Sequence, residues 1–230
     1  EIILVNKQLI WDLPLRLFHW LLVASLFAQW LTAEVLENAT QWHAYIGYFT
    51  LGLILFRIIW GFIGTRYSKF SSFLGSPKAI FNYAKSIFSV KYQAHVGHNP
   101  LGGLLLPAVL GLVGLQAVSG LFVTDDIIFT GPYYTSVSSQ IQEIMQTIHH
   151  NIFDWLLYLI GVHLLALLFY KYRLKQDLIR PMIDGKKALD KQDGIPHSQL
   201  LKAVILTVLI SAFIIWLVVL NIPPVEDYYY

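Results

Sequence analysis

The stretch HHNIFDWLLYLIGVH carries histidines at both ends of an apolar run, from His149 to His163, and LLALLF continues the run beyond it. An imidazole among apolar helices is costly unless it is partnered or functional, and imidazole is also a common metal ligand. His149 and His163 stand fourteen residues apart. At about 100° per residue they share one helix face to within roughly 40°, about 21 Å apart along the axis. His150 turns well away from that face and reads as a bystander. A single ion cannot use two rings at that separation, whereas two stacked cofactors can.

Each cofactor then needs a second ligand at matching depth, and this requires knowing what surrounds the histidines. The 230 residues are 56% hydrophobic and only 13% charged, against about a quarter charged in soluble domains. Five segments approach the ~20 apolar residues that a bilayer core demands: about 15–33, 42–63, 101–123, 152–170 and 201–220. The first lacks a small-residue cleavage site and reads as a span, not a signal peptide. The expected fold class is an all-α membrane protein. It comprises a four-helix transmembrane bundle plus a fifth C-terminal transmembrane helix, with residues 1–230 forming one membrane domain.

Basic residues orient it. The connection from Gly64 to Pro100 carries Arg66, Lys69, Lys78, Lys85 and Lys91 without an acid. The connection after the fourth span carries Lys171, Arg173, Lys175, Arg180, Lys186, Lys187 and Lys191. The other two connections hold Glu34, Glu37, Asp125, Asp126 and Glu143 without Lys or Arg. The positive-inside rule puts the N-terminus in the cytoplasm and the C-terminus outside.

On this topology His19, in PLRLFHW, lies at the cytoplasmic depth of His163, and His43, in QWHAYIGY, lies at the outer depth of His149. The result is two pairs, inner (His19, His163) and outer (His43, His149), on facing helices of a bundle. Zinc is poorly served by two ligands per site, and proton relays usually include deep acids. Cysteine is absent, which excludes thiolate sites and covalent haem attachment. Two non-covalent b-type haems with bis-histidine ligation fit this donor set.

Arg57 follows His43 by fourteen residues and so shares its face at the inner depth. No acid is expected at that depth. The guanidinium either forks onto a haem propionate or snorkels to the interface. Gly47, Gly61 and the GLVGL run leave room for a macrocycle or a close helix. His98, in AHVGHNP, could bind a propionate, hold a quinone oxygen or simply bond to its loop; His95 and His197 read as loop residues. The spacing around SPKAIFNYAKSIFSVKY predicts an amphipathic helix over about 77–92, capped by Ser76, lying on the cytoplasmic face or packed on the bundle. The long outer connection 124–148 either meets a partner or caps the bundle.

The chain resembles the bacterial cytochrome b561 and nickel-hydrogenase b-type cytochrome family of di-haem membrane proteins. The likeness rests on WDLPLRLFHW, WHAYIGYFTLGLILFRIIWGFIGTRYSKFSSF, AHVGHNPLGG, IHHNIFDWLLYLIGVH and DLIRPMIDGKK, over most of spans one to four. It implies His19, His43, His149 and His163 as axial ligands. It also implies electron transfer across the bacterial inner membrane between a quinone pool and a periplasmic c-type cytochrome or hydrogenase. Some short family members look like superoxide:quinone oxidoreductases, the alternative activity; a purely structural anchor is a third possibility. Membrane lipid and quinone are expected partners and nucleic acid is not. The fifth span departs from the shorter members of the family and holds no histidine.

Overall fold

The computed structural model describes residues 7–87, 95–127 and 129–223. Among them five helices are long and apolar enough to cross a membrane. They are α1 (Leu13–Glu34), α2 (Thr40–Ile63), α4 (Pro100–Ser119, prolonged by a 3₁₀ turn Gly120–Phe122), α5 (Ser139–Tyr172) and α7 (Leu200–Ile215, prolonged by a π-helical turn Trp216–Leu220). Two short helices, α3 (Pro77–Ser86) and α6 (Ile179–Asp184), and a two-stranded antiparallel ribbon complete it; β1 (Lys7–Leu9) pairs with β2 (Lys186–Ala188). This is an all-α membrane protein. Its apolar side chains stay exposed on helix faces, Trp155, Leu165 and Leu201 among them, as lipid requires and water would punish.

Local chemistry explains where the helices begin. Asp12 caps α1, its Oδ1 accepting from the Leu15 amide at 2.7 Å, with Pro14 in the first turn. Ser76 caps α3 through the Ala79 amide, with Pro77 first in the helix, as its sequence predicts. The end of the expected helix over 77–92 lies outside the described residues. In HNPLGG, Asn99 Oδ1 accepts from the Gly102 amide at 2.8 Å and Pro100 opens α4. A Cβ on Gly103 would sit 2.7 Å from the Phe73 carbonyl oxygen, so that glycine lets the preceding loop close on the helix. Gly185, left-handed at φ 79°, ends α6 and would drive a Cβ to within 2.8 Å of the Trp11 carbonyl.

The helix α5 departs from expectation. It begins at Ser139, thirteen residues before the predicted span, so the last ten residues of the presumed outer connection 124–148 are helical. Side-chain bonds from Gln142 to the Tyr134 carbonyl and from Gln146 to the Thr124 carbonyl hold the remaining loop to its first turns.

Contacts fall into two compact units. The first takes in Glu1–His19, Arg57–Val109 and Tyr158–Val204. Its core is Ile10, Trp11, Trp60, Tyr67, Phe73 and Tyr83, with the Tyr83 and Tyr170 hydroxyls joined at 2.9 Å. Lys202 Nζ donates to the Ile63 carbonyl at the C-terminus of α2, a favourable place for a cation. The second unit takes in Trp20–Phe56, Leu110–Leu157 and Ile205–Tyr230. In it Leu206 and Ile210 are buried, a Cβ on Gly52 would touch Ile210 and Ile214, and the Tyr133 hydroxyl donates to the Leu217 carbonyl at 2.8 Å. The fifth helix therefore packs against α2.

Gly61 and Gly47 serve close packing of protein on protein. A Cβ on Gly61 would lie 2.1 Å from the Phe70 ring, and one on Gly47 would lie 3.3 Å from Gln29 Nε2. Gly61→Ala is expected to displace Phe70 and destabilise the folded protein by about 1–3 kcal/mol, the usual cost of overpacking, measured as a lowered thermal midpoint in detergent. Gly111→Ala, whose Cβ meets nothing within 4 Å, is the matched control and should leave the midpoint near wild type.

Candidate functional site

The second unit brings His43, from the first turn of α2, against His149, from the third turn of α5. Their ring centroids lie 6.2 Å apart and the ring planes are nearly perpendicular, at 83°. Two imidazoles facing one ion from opposite sides, each with a metal–nitrogen bond of about 2 Å, have centroids about 6 Å apart. The spacing would suit a metal ion held between the two rings.

Their protonation is set by neighbours. His149 Nδ1 lies 3.0 Å from the Gln116 carbonyl oxygen, which can only accept, so Nδ1 carries the proton. The Ser119 hydroxyl stands 3.2 Å from the same nitrogen. His43 Nδ1 lies 3.1 Å from Thr32 Oγ1. The Thr32 hydroxyl donates to the carbonyls of Ala28 and Gln29 within its own helix, so its oxygen is left to accept from His43. Both rings thus keep Nε2 as a free lone pair, the state a metal ligand needs. Gly120 makes room for one of them, since a Cβ there would come within 3.0 Å of His149 Cε1.

The first unit holds His19 of α1 and His163 of α5, whose imidazoles are within electrostatic reach of each other. It also holds Arg57 and His98. Arg57 is 0% exposed, and its guanidinium carbon sits 5.0 Å from the Phe70 ring centroid. A snorkelling arginine would reach solvent; this one does not. Nε, Nη1 and Nη2 are all sealed from solvent without a hydrogen-bond partner among the described residues. A buried guanidinium without acceptors is strongly unfavourable, so its surroundings fit a group bringing a carboxylate. The donor sets of both units fit haem.

His98 stands just before α4, its ring 4.6 Å from Trp11 and 4.5 Å from Phe73 by centroids. Its Nδ1 is sealed and without a hydrogen-bond partner among the described residues. Burial first, then the positive charge of Arg57, pushes its pKa down to about 3, against a weaker opposing bond to the Tyr67 main chain. His95 is a loop residue in fact, edge-on to Tyr83 with its carbonyl accepting from Lys187 Nζ. His197 caps a turn through the Gln199 amide.

Sequence reasoning missed four supporting groups and one acid. Thr32, Gln29, Gln116 and Ser119 are polar residues within apolar helices, and their spacing from the histidines was the available signal. Asp12 corrects the expectation that no acid reaches Arg57. It is fully buried and within Coulombic range of the guanidinium. The Asp-Leu-Pro sequence announces a helix cap but not that burial.

Five helices long and apolar enough to cross a membrane, and a histidine pair with both Nδ1 atoms engaged, fit a b-type haem cytochrome. The family model of prokaryotic cytochrome b561 matches residues 10–185, and the chain belongs to that family. It is a multi-pass membrane protein of electron transport. No curated protein and no solved structure matches it.

The depressed pKa of His98 has a pH consequence. Between the ordinary value near 6.5 and about 3 the unfolded chain binds a proton there and the folded chain does not. Its contribution to stability is therefore whole above pH 6.5 and is lost as pH falls toward 3. The thermal midpoint of wild type should drop more steeply between pH 6.5 and 4 than that of His98→Gln; parallel curves would contradict the assignment.

Proposed function

We propose that the protein is a di-haem cytochrome b that moves electrons across the bacterial inner membrane, between the quinone pool and a periplasmic redox partner, either a c-type cytochrome or a hydrogenase. His43 and His149 hold the outer haem and His19 and His163 the inner one. The observation that carries this is the His43–His149 pair, spaced at 6.2 Å with both Nδ1 atoms engaged. The family fixes b-type haem as the cofactor class, and His149 and His163 lie fourteen positions apart on the unbroken helix α5.

Haem, when bound, supplies a one-electron iron couple. The chain's own residues set how that couple behaves. Gln116 and Ser119 orient His149, and Thr32 orients His43; bonds of this kind raise the basicity of the ligating nitrogen. Arg57 offers a buried guanidinium fork to a propionate, with His98 beside it as a neutral ring whose N–H goes to the Tyr67 main chain and whose Nδ1 lone pair can take up a quinol proton. The N-terminus lies in the cytoplasm, on the strength of the basic connections 64–100 and 171–199. Superoxide:quinone oxidoreduction is disfavoured, because the outer connections carry acids and neither Lys nor Arg to steer an anion.

The test is a reduced-minus-oxidised visible spectrum of purified protein with haem counted per chain. Wild type is expected to hold two b-type haems, and His43→Ala and His163→Ala one each. One haem or none in wild type prepared with ample haem overturns the assignment.

A further inference from the structure

Asp12 is the most heavily engaged side chain of the first unit. Oδ1 accepts from the Leu15 amide at 2.7 Å and from Trp60 Nε1 at 3.2 Å. Oδ2 accepts from the hydroxyls of Thr65 and Ser68, and Trp60 Nε1 also lies 3.3 Å from it. The donors come from three places: the first turn of α1, the last turn of α2 and the 3₁₀ segment that follows. Asp12, Trp60 and Ser68 are each at or below 1% exposure. A helix cap needs one such bond; a carboxylate this deep with side-chain donors from other segments does more than cap.

Its position explains what more. His19 lies seven residues along α1 from Asp12, two turns on the same face. Arg57 lies three residues before Trp60, one turn away. Asp12 thus joins the helix carrying one inner histidine to the helix carrying the guanidinium. It attracts Arg57 through space, yet no hydrogen bond joins them, since Asp12 is occupied by other donors and no Arg57 nitrogen has a hydrogen-bond partner among the described residues. The arrangement balances the arginine's charge without using its N–H groups.

We propose that Asp12 is the positioning and charge-setting residue of the inner haem site, fixing α1 to α2 and supplying the negative charge that lets Arg57 stay buried with its fork open to a propionate. This rests on the two-haem reading above. A fixed negative charge near an iron centre disfavours adding an electron, and hydrogen bonds that draw charge from that carboxylate weaken its effect. Removing the charge should therefore raise the inner potential, whereas removing one donor should lower it.

The experiment is a potentiometric titration of the full-length, haem-loaded protein, with the inner haem identified as the one retained in His43→Ala. Asp12→Asn is expected to hold two haems and to raise the inner potential by a shift equivalent to about tenfold in the reduced-to-oxidised ratio, about 59 mV for one electron. The outer potential should not move. Ser68→Ala, which leaves Asp12 its Leu15, Trp60 and Thr65 donors, should shift the inner potential the opposite way. Opposite signs are something a purely structural cap would not produce. If Asp12→Asn fails to assemble, Ser68→Ala decides alone: a downward shift confined to the inner haem supports the proposal and an unmoved potential overturns it. Two haems in wild type with both inner potentials unmoved, or moved in the same direction, overturn this proposal only. A wild type lacking two haems overturns the ligand assignment and this proposal together.

Discussion

An imidazole in an apolar helix must place one N–H somewhere, and where that proton goes decides what the other nitrogen can do. In this protein the proton of His149 is taken by the Gln116 carbonyl and that of His43 by the Thr32 oxygen. The carbonyl of Gln116 also accepts from the Ser119 hydroxyl at 3.0 Å, the same hydroxyl that stands beside the ring. Gly120, the next residue, leaves space for the ring. Carbonyl, small residue and tautomer are one arrangement around His149.

The first unit solves the complementary problem, a cation among apolar residues. Arg57 lies under Phe70, which can approach because Gly61 has no side chain. Asp12 answers its charge from a distance. Buried charges usually pair directly, since desolvation is otherwise uncompensated. Here the acid is satisfied by neutral donors and the guanidinium finds no hydrogen-bond partner among the described residues, an imbalance that makes sense if a carboxylate arrives with a cofactor.

Much of this was legible in the sequence because its signals are periodic or local. The spans follow from runs of apolar residues, the meeting of His43 with His149 from their matched depths, and Ser76-Pro77 from capping chemistry. The start of α5 was not legible. SSQIQEIMQT is polar enough to read as loop, and it is helical because Gln142 and Gln146 bond to loop carbonyls distant in sequence. Asp12 escaped for a related reason. Its cap is local, but its burial depends on Trp60, Thr65 and Ser68, about fifty residues away, and no window along the chain contains both. The fifth helix was seen as a span; its seat against Gly52 and its lysine on the Ile63 carbonyl are long-range facts that hydropathy cannot carry.

The hydrogen bonds on His43 and His149 bear on the cost of binding. Each imidazole is held by a group on a neighbouring helix, Thr32 on α1 and Gln116 on α4. The conformational entropy of ordering the two rings is then lost as the helices pack. A group held between them would meet side chains whose rotamers are already chosen, and binding would not lose that entropy a second time.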